Sequence, residues 1–456
     1  MKNKAVEWII LLFLLGVVYN IFLPFVEVPD EHIHFGQSYA ISNILLGVQN
    51  DFNNGIIIEQ QGIKKLNKES EETDSYYLKF KKFWNDFTYG NEIDSEPDIN
   101  YQYSPSVKFA YIIPALGITL SRLQGLSWQY IYLSGRLINL LFFCLVIYIS
   151  VKLCPDLFYA IAGISLLPSV IWLAASYSYD GWNISLSILF ISLCMKYRTD
   201  EADVSLLRIL SIFVILFLFI PIKYVYAVMA LAIFLIPKHK WNRKLILEMV
   251  VIFGVIIVAL FIMRGSEIVS YITTDAMDTR GLSEDIEASE SAYTLGYVVR
   301  NPIRTFFTIF KTLLENSEEW IIKGTIGEFY SSYVPHVIGY FTLIVFSTLM
   351  IKSIADNRYE KYRQCKRIMI SIFISGVFLV LIAFLFVFSV ITNGYIGKIA
   401  GVQGRYFIPL FICLPFIIHS DEFLKDFSDN HKNILLRLLE ILNVIIVSFK
   451  IIGFVL

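Results

Sequence analysis

Apolar residues in this chain fall into long, nearly unbroken runs separated by short polar turns. They show neither the two-residue alternation of a half-exposed strand nor the single apolar stripe of a soluble helix. A hydrocarbon core about 30 Å thick needs roughly 20 apolar residues per helix. By that measure about eleven runs are candidate transmembrane helices, near residues 6–25, 129–151, 156–176, 181–197, 206–220, 222–237, 244–263, 336–353, 367–391, 404–419 and 434–456. Arg437, Glu440 and Lys450 interrupt the last of them. The pattern predicts an all-α polytopic membrane protein, residues 1–456 forming one transmembrane domain. The opening run from about Ala5 to Pro24 is too long for a signal-peptide core and has no small-residue cleavage site, so it reads as a retained first span.

Two stretches break the rhythm, 26–128 and 264–335. Within the first, residues 50–105 are polar and rich in tyrosine, whereas SPSVKFAYIIPALGITLSRL, bounded by Lys108 and Arg122, is predicted to lie in the membrane interface or dip into it. Within the second, Asn301 as N-cap and Pro302 at the first helical position predict an interfacial helix near 301–315, with Phe306, Phe307, Phe310 and Leu314 near one face.

Composition sharpens the class. Of 456 residues, 56% are hydrophobic and 17% charged, against roughly 25% charged in soluble proteins. The expected solvent is a lipid bilayer. Lys and Arg number 38 against 39 Asp and Glu, so no net field points to a nucleic-acid partner. Sorting the cations by loop carries more information. With the N-terminus in the cytoplasm, the short loops on that side hold Lys2 and Lys4, Lys196 with Arg198, the Lys238–Lys244 run, the run KSIADNRYEKYRQCKR, and Lys425 with Lys432. Both long segments then lie outside the cell membrane. The five cysteines, Cys144, Cys154, Cys194, Cys365 and Cys413, sit in or beside apolar runs with no CxxC spacing, which argues against a disulfide framework or thiolate metal site.

The functional signal is a convergence of polar groups on the predicted outer ends of the spans. In VPDEHIHFGQSYAISN, helical spacing puts Asp30 and Glu31 on the face of His34. Such a set can work as a general base or hold a divalent cation, the candidate metal ligands being Asp30, Glu31 and His34. Equally, Asp30 fits a simple N-cap, with His32 and His34 as headgroup-level polar residues. Asp180 in SYSYDGWN has the same two readings. Arg136 in SGRLINLL, Lys223 in IPIKYVY and Arg405 in VQGRYFIP are each explicable as snorkelling cations. Three on the side normally depleted of cations would together form a pocket for a phosphate or pyrophosphate.

In these segments the chain resembles a family of bacterial multi-pass proteins, long labelled as of unknown function, that is placed in the GT-C superfamily of membrane glycosyltransferases. The shared features are PDEHIHF, YSPSVKFAYIIPALG, GRLINLL, LLPSVIWLAASYSYDGWN, PIKYVYAV, RNPIRTFFTIF and VQGRYFIPL, in order over nearly the whole chain. The resemblance implies a GT-C-like fold and transfer of a sugar from a polyprenyl phosphate or pyrophosphate to a glycan or cell-envelope acceptor on the extracytoplasmic face. It implies that Asp30, with Glu31 adjacent, is the catalytic acid of the first outer loop. Arg405, Lys223 and Arg136 become the candidates that receive the lipid phosphate, and His34, Asp180, Tyr103 and Tyr406 further pocket residues. The segment YSPS departs from the Pro-Pro form common in related loops.

Two other readings use the same placement. A lipid-linked glycan flippase or transporter would put ionisable residues or broken helices near the bilayer midplane, in repeat-related halves. An outer-face glycan polymerase or ligase would take a larger, pyrophosphate-linked donor.

Overall fold

The computed structural model describes residues 2–22, 28–48, 109–241, 295–327, 334–355, 359–388, 399–425 and 427–452, with 290–292, 390–392 and scattered positions between 247 and 262. The stretch 49–108, which contains Tyr103, and most of 263–294 lie outside the described residues. So does most of the expected span 244–263.

Nearly every apolar run is helical. The first run forms the helix Lys2–Phe22 and the second Trp128–Leu153. Later ones become Asp180–Thr199, Leu206–Phe219, His336–Lys352, Lys366–Phe388 and Asp429–Ile452. The first helix shows why a bilayer is the solvent: Trp8, Leu12, Leu15 and Tyr19 are buried against the protein, while Val6, Ile10, Leu14 and Val18 form an exposed apolar row on the other side. An exposed row of that kind is stable only against lipid.

Among the described residues, three helices are able to cross a membrane by length and composition, Lys4–Phe22, Trp128–Leu153 and Glu360–Val387, or four if the bent pair Pro155–Ser165 and Pro168–Ala174 is one span. Five further apolar helices, among them Leu206–Phe219 and His336–Lys352, are shorter, so length and composition bear out three or four of the about eleven expected spans. The expected span 156–176 bends by 85°, because Pro168 begins a new helix and supplies no N–H to continue the old one. Among the described residues the all-α expectation holds apart from one antiparallel ribbon, Glu290–Ala292 against Val390–Thr392.

The middle of the molecule is built on Asp180–Thr199, buried over most of its length. It packs on Trp128–Leu153, Leu206–Phe219 and the 3-10 helices Tyr224–Leu235 and Gly404–Cys413. Its serines do not break it, since Ser185 and Ser187 return their hydroxyl protons to the carbonyls of Trp182 and Ile184. The amphipathic run after Asn301 becomes a helix, Pro302–Ile326, with Ile303, Phe306, Phe307, Phe310 and Leu314 exposed.

Candidate functional site

The site is assembled where four chain segments end. The first is the turn before the helix Glu31–Leu45. Asp30 occupies the N-cap position with φ 63° and ψ 17°, and its side chain makes no capping hydrogen bond. Left-handed backbone is disfavoured for residues other than glycine, with Asp and Asn the usual exceptions. The turn thereby carries the Asp30 carboxylate away from its own helix and toward Arg405. Its Oδ2 lies 3.4 Å from Arg405 Nη2.

Arg405 is the hub. Its side chain is 3% exposed, whereas that of Asp30 is 52% exposed. Nη1 lies 3.2 Å from Asp180 Oδ2 and donates to the carbonyl of Pro29 at 3.4 Å. Nη2 also donates to the Tyr406 hydroxyl at 3.1 Å, while Nε is buried with no hydrogen-bond partner among the described residues. Asp180 likewise does not act as a cap: Tyr179 holds that position, and Asp180 Oδ1 instead accepts from Lys223 Nζ at 2.7 Å. Lys223 precedes the Tyr224–Leu235 helix, with its ammonium 4.0 Å from the Tyr406 ring centre and 5.0 Å from that of Tyr179. Two carboxylates and two cations thus alternate through the cluster: Asp30, Arg405, Asp180, Lys223.

Glycine contact places the hub. A Cβ on Gly404 would lie 1.9 Å from the Trp320 carbonyl oxygen and 2.7 Å from Gly324 Cα. The helix Pro302–Ile326 therefore touches the start of Gly404–Cys413 backbone to backbone. Within that 3-10 helix, Pro409 lacks the N–H that would bond the Tyr406 carbonyl. The Tyr226 hydroxyl donates to that carbonyl at 3.0 Å.

Two cavities meet at this contact, both lined by Trp320 and Gly404. One, of about 390 Å³, is polar, with Arg405, Asn316, Glu319, Lys323 and Gln403 in its wall. The other, of about 330 Å³, is apolar, with Leu313, Phe373, Val377, Phe378, Phe407 and Phe411. A lipid carrying an anionic end would meet hydrocarbon in one and the Arg405 guanidinium in the other.

The other expected residues stand apart from this cluster. Glu31 is fully buried and accepts two hydrogen bonds from Arg136, at 2.9 Å from Nε and 2.7 Å from Nη2. It also accepts the Tyr177 backbone N–H at 3.1 Å. This bidentate pair corrects two expectations: Glu31 does not offer its carboxylate to a substrate beside Asp30, and Arg136 is directed at Glu31 rather than at Asp30 and Asp180. The pair instead ties the Asp30 turn to the loop that delivers Asp180. His34 faces an aromatic wall, with Nδ1 2.8 Å from the Tyr111 hydroxyl and the ring 4.6 Å from that of Tyr179. Asp30, Glu31 and His34 thus diverge; among the described residues no three His, Cys, Asp or Glu side chains come together as metal ligands.

Sequence reading missed Tyr179, Trp320, Gln403 and the Gly324–Gly404 contact. Tyr179 and Gln403 lie inside quoted motifs, beside Asp180 and Arg405, so adjacency was the available signal. Trp320 and Gly324 follow the interfacial run and had none. All five cysteines are buried free thiols.

In comparison with known proteins, a family described as "Predicted membrane protein (DUF2142)" matches residues 13–414. No curated protein and no solved structure matches the chain.

Proposed function

Since the chain belongs to the DUF2142 family of predicted membrane proteins, a multi-pass helical membrane protein is the premise, and we propose that it is a glycosyltransferase of the GT-C type. In this reading it transfers a sugar from a polyprenyl-phosphate donor to a glycan or cell-envelope acceptor. In this reading the chain crosses the membrane about eleven times and the site faces the extracytoplasmic side of the cytoplasmic membrane, an orientation that the loop cations support.

The observation that carries the reading is the approach of exposed Asp30 to buried Arg405, beside the paired Asp180 and Lys223. The donor's hydrocarbon lies along the apolar cavity and its phosphate on Arg405, whose contact with Asp30 at 3.4 Å is long enough to yield to an incoming oxyanion. Asp30, released, accepts the proton of the acceptor hydroxyl. That oxygen bonds to the anomeric carbon as the bond from carbon to phosphate oxygen breaks, inverting the centre. The electron pair leaves with the lipid phosphate, whose charge Arg405 and Lys223 stabilise. Asp180 holds both cations in place.

The test is sugar transfer by the purified protein from polyprenyl-phosphate sugars. Transfer that Asp30→Asn abolishes, with expression and donor binding intact, supports the reading. Full activity in that variant overturns it, and gradient-driven accumulation of the lipid-linked sugar in sealed vesicles without transfer identifies a transporter instead.

A further inference from the structure

A second polar cavity, of about 290 Å³, lies far from this site, lined among others by Lys4, Val151, Asp156, Tyr159, Asp429 and Lys432. The first helix measures the separation. Lys4 is near one end, while Asn20, whose carbonyl takes a hydrogen bond from Arg136, is near the other; at 1.5 Å per residue the two are about 24 Å apart. The cavity therefore sits at the opposite end of the bundle from Asp30.

Two lysines and two aspartates surround one phenol. Lys4 Nζ donates to the Tyr159 hydroxyl at 2.8 Å and lies 4.7 Å from the ring centre. Lys432 Nζ lies 5.1 Å from the same ring centre. The Lys432 side chain is 4% exposed and pairs at 3.2 Å with Asp429, which is 73% exposed to solvent. The second acid, Asp156, is engaged by the Tyr362 hydroxyl at 2.6 Å. Among the described residues, Lys4 has no carboxylate within ion-pair distance. The first turns of two helices, Lys2–Phe22 and Asp429–Ile452, reach the cavity with Lys4, Asp429 and Lys432, adding the positive ends of their backbone dipoles. Apolar Val151, Pro155 and Phe158 complete the wall.

We propose that this cavity binds a phosphate oxyanion, held by Lys4 and Lys432, with the Tyr159 hydroxyl turning its proton to the anion from the Asp429 carbonyl and Asn433 Oδ1, each now 3.3 Å away. Two sources offer that chemistry, the headgroup of an anionic phospholipid and free phosphate. The apolar wall suits the headgroup, whose glycerol and first methylenes would lie against Val151 and Phe158. The site is independent of the reaction proposed for Asp30.

The test uses the full chain in phosphatidylcholine nanodiscs, with phosphatidylglycerol mixed into the lipid in one arm and inorganic phosphate added to the buffer in another. The thermal midpoint is read in each. Wild type is expected to gain stability with phosphatidylglycerol over phosphatidylcholine alone. Lys4→Ala weakens the apparent affinity by about tenfold or more, the worth of a charged hydrogen bond. Lys4→Arg keeps the effect, and Tyr159→Phe loses part of it. Gain with phosphate alone assigns the site to the free anion. Because each increment is read within one variant, a variant of lower intrinsic stability still reports. No increment in either arm, or the same increment in Lys4→Ala as in wild type, overturns the proposal.

Discussion

Asp30 and Arg405 stand 375 positions apart in the chain and meet at 3.4 Å. One is half exposed on a left-handed turn and the other buried at the start of a 3-10 helix. If Asp30 is the base, Asp30→Asn keeps the side chain's shape and loses only its capacity to take a proton. Turnover should fall by about a hundredfold to ten-thousandfold, with donor affinity unchanged or slightly improved because Arg405 is left freer. Steady-state kinetics separate the two. Arg405→Lys should lose both, weakening donor binding and cutting turnover by about a hundredfold, since one ammonium cannot reach Pro29, Asp30, Asp180 and Tyr406 together.

The Glu31–Arg136 pair makes a prediction about stability rather than chemistry. Both side chains are buried, so removing one strands the charge of the other. Glu31→Ala should cost about 3–5 kcal/mol, whereas replacing both, as in Glu31→Leu with Arg136→Met, should cost much less. Thermal unfolding of the single and double variants measures the difference. Equal losses in both would show that the pair is not acting as a unit.

The architecture and the site differed in how far they could be read from the chain. Apolar runs mark helices because a bilayer demands them, and all eleven runs are helical in the described residues, wholly or in part. Their lengths were less legible. Pro168 begins a second helix within one run, and Pro409 leaves a gap in the hydrogen bonding of another, because a proline acts on the hydrogen bond of a residue three or four positions away. Asp30, Asp180, Lys223 and Arg405 were each visible as polar residues at span ends. Which cation meets which acid was not, because that depends on helix rotation. Arg136 opens its run much as Arg405 does, yet one turns to Glu31 and the other to Asp30 and Asp180. Nothing in local spacing separates these cases.

Gly404→Ala tests whether Arg405 is set by the contact beneath it. A methyl group there would sit 1.9 Å from the Trp320 carbonyl oxygen, and backbone atoms cannot step aside as a flexible side chain would. The helices must part. The expected cost is about 1–3 kcal/mol in stability, together with a loss of donor affinity as the two cavities and Arg405 shift. Gly324→Ala, whose Cβ would lie 2.8 Å from Gly404 Cα, should reproduce both effects. A variant with normal affinity and reduced stability would separate the packing from the site.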